Sequence, residues 1–160
     1  MRAFLHEVVA AIKEGPALFF APVVAAATEA RMADHARRAV LSEGDWLTFA
    51  QIAERAGFSA SDQSDQPDTW NKDGLIFAIN YRNVDYFPGY GLDPTTFRPI
   101  KAMAPVLEVF QGKKDAWGLA YWFASVNSFL GGRRPQDLLL TAPAEVLAAA
   151  KDEMAGVVHG

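Results

Sequence analysis

The pattern of apolar and polar residues divides the chain into a series of short helices interrupted by one β-rich stretch. Apolar residues recur at helical spacing in residues 2–14, and Gly15-Pro16 follows this segment. This pattern predicts an amphipathic helix that ends at the Gly-Pro pair.

The segment Ala17–Ala27 is apolar on many sides of a helix, which predicts burial in a core or a subunit interface. We expect Pro22 in the first turn of a helix that runs to about Leu41, because the first turn needs no amide donor there.

A capping-box sequence marks the start of the next helix. Thr48 and Gln51 have the spacing of a capping box, and Leu47 and Ile52 lie at the positions of a hydrophobic staple. Gly57 then supplies a turn. A short helix followed by a glycine turn is the outline of a helix-turn-helix.

The middle of the chain is β-rich. Gly74–Tyr81 and Val84–Pro88 are rich in β-branched and aromatic residues and are separated by the polar pair Arg82-Asn83. This arrangement predicts a β-hairpin. Helix, turn, helix and hairpin together resemble a winged-helix layout, and a small α+β core without a nucleic-acid role is equally compatible with the pattern.

Helical signals continue through the last third of the chain. Pro105 is expected near the first turn of one helix, and Asp115 is expected to cap the next. Asn127 suits the cap of a one-turn helix, and we expect the last helix to end at Gly156. The predicted fold class is therefore mainly α with a small β-hairpin. We divide the chain at residue 98, into an N-terminal region (residues 1–98) and a C-terminal helical domain (residues 99–160).

Composition restricts the chemistry available to the protein. The chain has 160 residues, a net charge of −4, no cysteine and three histidines. Disulfides and thiol catalysis are excluded, and the dispersed histidines do not have metal-ligand spacing. We expect no metal, no cofactor and no enzymatic activity, because the sequence contains no catalytic constellation and no nucleotide fingerprint.

The chain also lacks the pattern of a secretory signal or a membrane span. The first predicted helix contains charged residues, and the most apolar stretch has about half the roughly 20 residues that a bilayer requires. We expect a cytoplasmic protein without a membrane partner.

Two regions are candidates for contact with DNA. The first is a basic cluster near the end of the helix that begins near Ala17, with Arg31, Arg37 and Arg38 as its arginines. A solvated face with favourable cations near a helix C-terminus is the preferred explanation of this cluster. The second is the helix-turn-helix outline, where Thr48, Ser59 and Ser61 are the candidate contacts. Its recognition segment, residues 59–68, carries three aspartates and no Lys or Arg, which is unfavourable beside phosphates.

One stretch of the C-terminal domain resembles a known family. Residues of about 100–160 resemble the toxin-binding domain of Xre/MbcA/ParS-like antitoxins. The resemblance is carried by Trp122-Phe123, Asn127, the run Leu130-Gly131-Gly132-Arg133-Arg134-Pro135, and Leu138-Leu139.

The resemblance implies a bacterial type II antitoxin. Its partner would be a RES-domain toxin, an enzyme that consumes NAD, and the C-terminal domain would cover the toxin's active site. Family members typically dimerise and often bind their own promoter through an N-terminal helix-turn-helix. The toxin-binding residues implied here are Trp122, Asn127, Leu130, Arg133, Arg134 and His159.

A purely structural role remains open for part of this motif. Gly131, Gly132 and Pro135 would then build a tight turn, and the tryptophans would belong to the core. Arg133 and Arg134 are better suited to anionic groups of a partner, because guanidinium groups form charge-assisted hydrogen bonds.

Two functions follow as hypotheses. The first is an antitoxin-like protein that binds and occludes a partner toxin, with autoregulation of its own promoter as an additional role. The alternative is a DNA-binding transcriptional regulator without a toxin partner. The resemblance and the apolar stretch of residues 18–24 also predict a homodimer.

Overall fold

Helices dominate the fold, and a small sheet lies in the middle of the chain. In a computed structural model, the structure describes residues 17–58 and 66–159, with side chains for residues 23–58 and 66–156. Within these ranges there are seven α-helices and one three-stranded antiparallel sheet. The predicted fold class, mainly α with a small β-hairpin, is confirmed. The elements are α1 (Ala17–Glu43), β1 (Trp46–Thr48), α2 (Phe49–Ala56), α3 (Pro67–Lys72), β2 (Ile79–Tyr81), β3 (Val84–Pro88), α4 (Met103–Phe110), α5 (Ala116–Ala124), α6 (Pro135–Leu138) and α7 (Pro143–His159), with single-turn helices at Gly89–Gly91 and Ser128–Leu130.

The chain forms two compact units, residues 1–39 and residues 40–160. In the first unit, the structure describes α1 up to Ala39, and the helix predicted for residues 2–14 lies outside the described residues. The expected helix start at Pro22 is wrong, because the backbone is already helical at Ala17. A proline inside a helix removes one hydrogen bond, and the surrounding alanines, which favour helix strongly, offset this loss.

The capping signals around residue 48 are confirmed. The backbone N–H of Thr48 donates to Oε1 of Gln51 at 2.9 Å, and Oγ1 of Thr48 accepts from the N–H of Gln51 at 3.3 Å. Gly57 follows α2 in the left-handed conformation, with φ of 70°. These interactions satisfy backbone groups that a helix end would otherwise leave unpaired.

The predicted hairpin is present and belongs to a larger sheet. Arg82 and Asn83 connect β2 to β3 and both have positive φ, as tight two-residue hairpin turns require. The pairing of β1 with β3 was not predicted, since β1 has only three residues. Two helices and the hairpin follow one another in the predicted winged-helix-like order, and β1, which was not predicted, precedes them. The segment 59–65, which contains Ser59 and Ser61, lies outside the described residues.

An aromatic cluster forms the centre of the second unit. The Phe77 ring stacks on Phe123 at 5.9 Å, and Tyr90 packs against Phe123 at 5.1 Å. Trp46 contacts both Phe77 and Tyr90, with ring centroids 6.0 and 5.9 Å apart. Phe123 also contacts Trp122 at 5.0 Å. The core thus includes side chains from both sides of residue 98, and the division of the chain at that residue stays a prediction.

The C-terminal helices complete this core. Oδ1 of Asp115 accepts a 2.7 Å hydrogen bond from the N–H of Gly118, so the predicted cap of α5 is confirmed. Pro105 lies in the first turn of α4, also as predicted. The expected end of the last helix at Gly156 is wrong, because α7 continues to His159. A Cβ added at Gly156 would meet no described atom within 4 Å, so the helix passes through an open position there.

Phe123 is the residue whose truncation we expect to be most damaging to the fold. Its side chain is 0% exposed and contacts three other aromatic rings. Phe123→Ala should lower the free energy of unfolding by about 3–5 kcal/mol, because it removes apolar burial and leaves a cavity. Phe49→Ala, at a position 37% exposed, is the matched control and should cost less than about 1 kcal/mol. Urea denaturation measures both changes, and similar midpoints for the two variants would contradict the central role of Phe123.

Candidate functional site

The loop between α5 and α6 closes on itself through Asn127. The backbone N–H of Asn127 donates to the carbonyl of Arg133 at 3.0 Å, and its carbonyl accepts from the N–H of Gly132 at 2.9 Å. Its side-chain Oδ1 accepts from the N–H of Phe129 at 2.9 Å. We call residues 125–134 the closed loop. Asn127 holds the shape of this loop with three of its own groups, so its role is to position its neighbours.

Gly131 and Gly132 allow the loop to turn back. Their φ values are 67° and 83°, in the left-handed region that residues with a Cβ rarely occupy. In the described part of the chain, no heavy atom lies within 4 Å of the position that a Cβ would take at either glycine. The need for glycine is therefore conformational and does not arise from crowding.

The closed loop and the residues after α6 present apolar side chains to solvent. Val126 is 74% exposed, Phe129 is 51% exposed and Leu140 is 57% exposed. Sequence analysis missed all three residues. These three residues do not fit the helical spacing of the buried residues around them. This mismatch is the sequence signal that could have identified them as exposed. We call Val126, Phe129 and Leu140, together with Arg133, the docking surface.

The two arginines of the motif make different contacts. Nε of Arg133 donates to the carbonyl of Leu130 at 3.0 Å, and its guanidinium lies 3.6 Å from Oε2 of Glu145. Both partners of this ion pair are more than half exposed, so the pair contributes little to stability. Arg134 donates two hydrogen bonds to Asp137, at 2.9 and 3.3 Å. Arg133 is thus the more available of the two for an external group.

Two further candidates for toxin binding, Trp122 and Leu130, are buried. Trp122 is 7% exposed and Leu130 is 3% exposed, and both belong to the hydrophobic core. Because they belong to the core that supports the closed loop, the docking surface does not include them. His159 is the last described residue of α7, and its side chain is outside the described part of the chain.

An open cleft of about 560 Å³ lies beside the closed loop. Residues of α5, of the closed loop and of α7 line this α5–α7 cleft. Trp122 and Glu153 line this cleft, and each has a buried polar atom, Nε1 and Oε2, without a hydrogen-bond partner among the described residues. The cleft and the closed loop share Val126 and Asn127, so the cleft is continuous with the docking surface.

The DNA-contact candidates are divided between the two units. Arg31, Arg37 and Arg38 lie on α1 within residues 1–39, and Nε of Arg38 pairs with Oδ2 of Asp34 at 3.1 Å. Thr48 belongs to the other unit, and its side chain is occupied in the cap of α2. Among the described side chains, those of residues 23–58 and 66–156, no three His, Asp or Glu lie close enough together to hold a metal ion. No helix in the described ranges is long and apolar enough to cross a membrane.

Tyr90 and Asp93 have shifted pKa values, and both lie outside the closed loop. Burial raises the pKa of Tyr90 well above its ordinary value, and its hydroxyl has no hydrogen-bond partner in the part of the chain that the structure describes. Asp93 accepts hydrogen bonds from the backbone N–H groups of Thr96 and Thr95, which lower the pKa of its carboxyl. The Asp93 bonds fix a turn.

No family model matches the chain, and no curated protein or solved structure is significantly similar to it. The function is therefore inferred from the residues of this chain.

The two glycines at positions 131 and 156 allow a matched test of the closed loop. Gly131→Ala should destabilise the protein by about 1–2 kcal/mol, because alanine disfavours a left-handed backbone. Gly156→Ala, inside α7, should stabilise it by up to about 1 kcal/mol, because alanine favours helix. Thermal or urea unfolding measures the two changes. A Gly131→Ala protein that is at least as stable as the wild type would show that the closed loop does not require its left-handed glycine.

Proposed function

We propose that this protein is an antitoxin-like protein that binds and occludes a partner toxin through its docking surface. The observation that carries this proposal is the exposure of Val126 and Phe129 in a loop held by its own hydrogen bonds, together with the exposure of Leu140 after α6. Grouped exposed apolar side chains on a folded domain are typical of protein interaction sites.

The chemistry of the docking surface fits a protein partner. Phe129 provides an aromatic anchor, and aromatic residues and arginine are enriched at the centre of interfaces. Arg133 adds a cation that can exchange its exposed pair with Glu145 for a carboxylate or phosphate of the partner.

The closed loop is also ordered before any partner binds. Asn127 and the two left-handed glycines hold it through contacts within ten residues of sequence. Ordering a loop on association costs conformational entropy, and a loop that is already ordered avoids most of that cost. This supports binding with little rearrangement of the surface.

The resemblance to Xre/MbcA/ParS-like antitoxins supplies the identity of the partner in this proposal. The partner is a RES-type toxin that consumes NAD, and the protein itself acts in the cytoplasm without catalysis or cofactor. In this proposal, Trp122 and Leu130 contribute to toxin binding by supporting the docking surface. His159 contributes through its position at the end of α7.

Substitutions inside the docking surface, compared with one at an exposed valine outside it, test the proposal. Val126→Ser lies in the docking surface, and Val84→Ser lies in β3, at a position that is also exposed. With the product of the neighbouring gene as partner, Val126→Ser combined with Phe129→Ser should weaken the complex by at least about tenfold. Val84→Ser should leave the affinity unchanged. Titration calorimetry on the purified pair measures both affinities.

Two results would contradict the proposal. One is a neighbouring gene product that neither binds this protein nor is toxic when expressed alone. The other is a complex whose affinity is lowered as much by Val84→Ser as by the substitutions at positions 126 and 129.

We further propose that α1 contributes to a homodimer. Val23, Val24 and Met32 are exposed on this helix. Pairing of two copies along α1 would cover these side chains, and burial of apolar area drives association.

Light scattering tests the homodimer directly. The wild-type protein at about 10 µM should have twice the chain mass of 17.4 kDa, because its apolar contacts favour association at that concentration. Val24→Asp should shift the mass toward one chain, since it places a charge in the contact. A wild-type mass of one chain at this concentration would overturn the proposal.

A DNA-binding regulator is the second candidate function. The strand, helix, helix and hairpin order of residues 46–88 favours it, since this is the layout of a winged helix. The three aspartates in residues 59–68 disfavour it. A mobility-shift assay on the DNA upstream of the gene tests this candidate. A shift that persists with the Val126→Ser variant would assign DNA binding to a surface other than the docking surface.

A further inference from the structure

The α5–α7 cleft has the size and lining of a binding site. Its volume of about 560 Å³ lies within the usual range of ligand pockets. Tyr121 and Trp122 provide aromatic surface, and Lys114, Asp152 and Glu153 provide charge. Binding sites typically combine apolar lining with a few polar groups that fix the orientation of a ligand.

The indole nitrogen of Trp122 is a donor without an acceptor. Trp122 is 7% exposed, its Nε1 is buried, and this atom makes no hydrogen bond within the described ranges. By contrast, Nε1 of Trp46 donates to the carbonyl of Val40 at 3.1 Å, and Nε1 of Trp117 donates to the carbonyl of Asn80 at 3.2 Å. Buried polar groups are normally paired, so an unpaired N–H at a cleft indicates where an acceptor from a ligand would bind.

The acidic residues of the cleft indicate the charge of the ligand. Oε2 of Glu153 is buried and accepts no hydrogen bond from the described residues, but it forms an ion pair with Nζ of Lys114 at 3.8 Å. Asp152 also lines the cleft, so its described lining contains two carboxylates and one ammonium group. The unbalanced carboxylate favours a cationic group, because opposite charges attract strongly where water is partly excluded.

We propose that the α5–α7 cleft receives an extended segment of the partner protein that presents an arginine or lysine side chain. The cation pairs with the carboxylates of Glu153 and Asp152, and a backbone carbonyl of the segment accepts from the indole N–H of Trp122. This inference rests on the proposed binding of a partner protein.

Continuity with the docking surface favours a peptide segment over a free small molecule. Val126, Asn127 and Ser128 line the cleft and belong to the closed loop. A partner that covers Val126 and Phe129 therefore reaches the rim of the cleft. An extended chain also supplies the carbonyl and the cation together, which matches the donor of Trp122 and the acceptor of Glu153.

Defined peptides test the cleft on the full-length protein, without the toxin. The probe is an acetylated and amidated alanine pentapeptide with arginine at its centre, and the comparison peptide has glutamate there. The ¹⁵N-labelled protein gives separate indole signals for its four tryptophans, and Trp122→Phe identifies the signal of Trp122. The arginine peptide should shift the Trp122 signal in a saturable way and leave those of Trp46 and Trp117 unchanged.

Charge-neutralising substitutions provide the matched control. Glu153→Gln removes a carboxylate of the cleft, and Glu145→Gln removes one that lies outside it, beside Arg133. Glu153→Gln should weaken binding of the arginine peptide about tenfold, because it removes a charge-assisted interaction. Glu145→Gln should leave the affinity unchanged.

Three results would overturn the inference: no shift of the Trp122 signal at about 10 mM peptide, equal shifts with the arginine and glutamate peptides, or equal shifts with the peptide and with arginine amide alone. The arginine peptide can fail to bind while the substitutions at Val126 and Phe129 still weaken the toxin complex. In that case the proposed docking surface is retained and the proposed role of the cleft is wrong.

Discussion

The stacking of aromatic rings around Phe123 is the interaction on which the second unit depends. Phe123 lies on α5, and its partners Phe77 and Tyr90 flank the hairpin of β2 and β3 in sequence. Large rings bury more apolar area than other side chains, and edge and stacked contacts add directional preference. This cluster joins the sheet to the C-terminal helices in one core. The closed loop follows α5 directly, so its position depends on how firmly Phe123 is held.

The closed loop shows how a core residue and a surface residue can alternate within a few positions. Trp122 and Leu130 are buried, whereas Val126 and Phe129 between them are exposed. Asn127 and the left-handed glycines force the backbone to turn there, and the turn directs neighbouring side chains to opposite sides. The resemblance motif therefore combines supporting residues with the contacts that we propose.

Local signals in the sequence predicted local structure well. The cap at Thr48, the cap at Asp115 and the hairpin turn at Arg82-Asn83 each depend on residues within a few positions of one another.

Long-range features were not predictable in this way. The pairing of β1 with β3 depends on contacts across about forty residues of chain, and a three-residue strand carries almost no pattern of its own. The helix start predicted at Pro22 is wrong because the helix propensity of the surrounding alanines outweighs a single unfavourable residue, and α7 likewise continues through Gly156. The motif at residues 127–135 lies in the loop that carries the proposed docking surface, but a linear motif does not separate side chains that point inward from those that point outward. The cleft beside the loop depends on where α7 lies relative to α5, which periodicity alone does not specify.

The contacts of Trp46 have a consequence for the synthesis of the protein. Trp46 packs on Phe77 and Tyr90, and these rings in turn pack on Phe123. A ribosome produces the chain from its N-terminus, so the aromatic groups of residues 46–90 remain without their last partner until α5 has emerged. The core closes late, and the loop after α5 takes its shape later still. A partner that recognises this loop would therefore select chains that have been synthesised beyond the closed loop and pass over chains truncated before it.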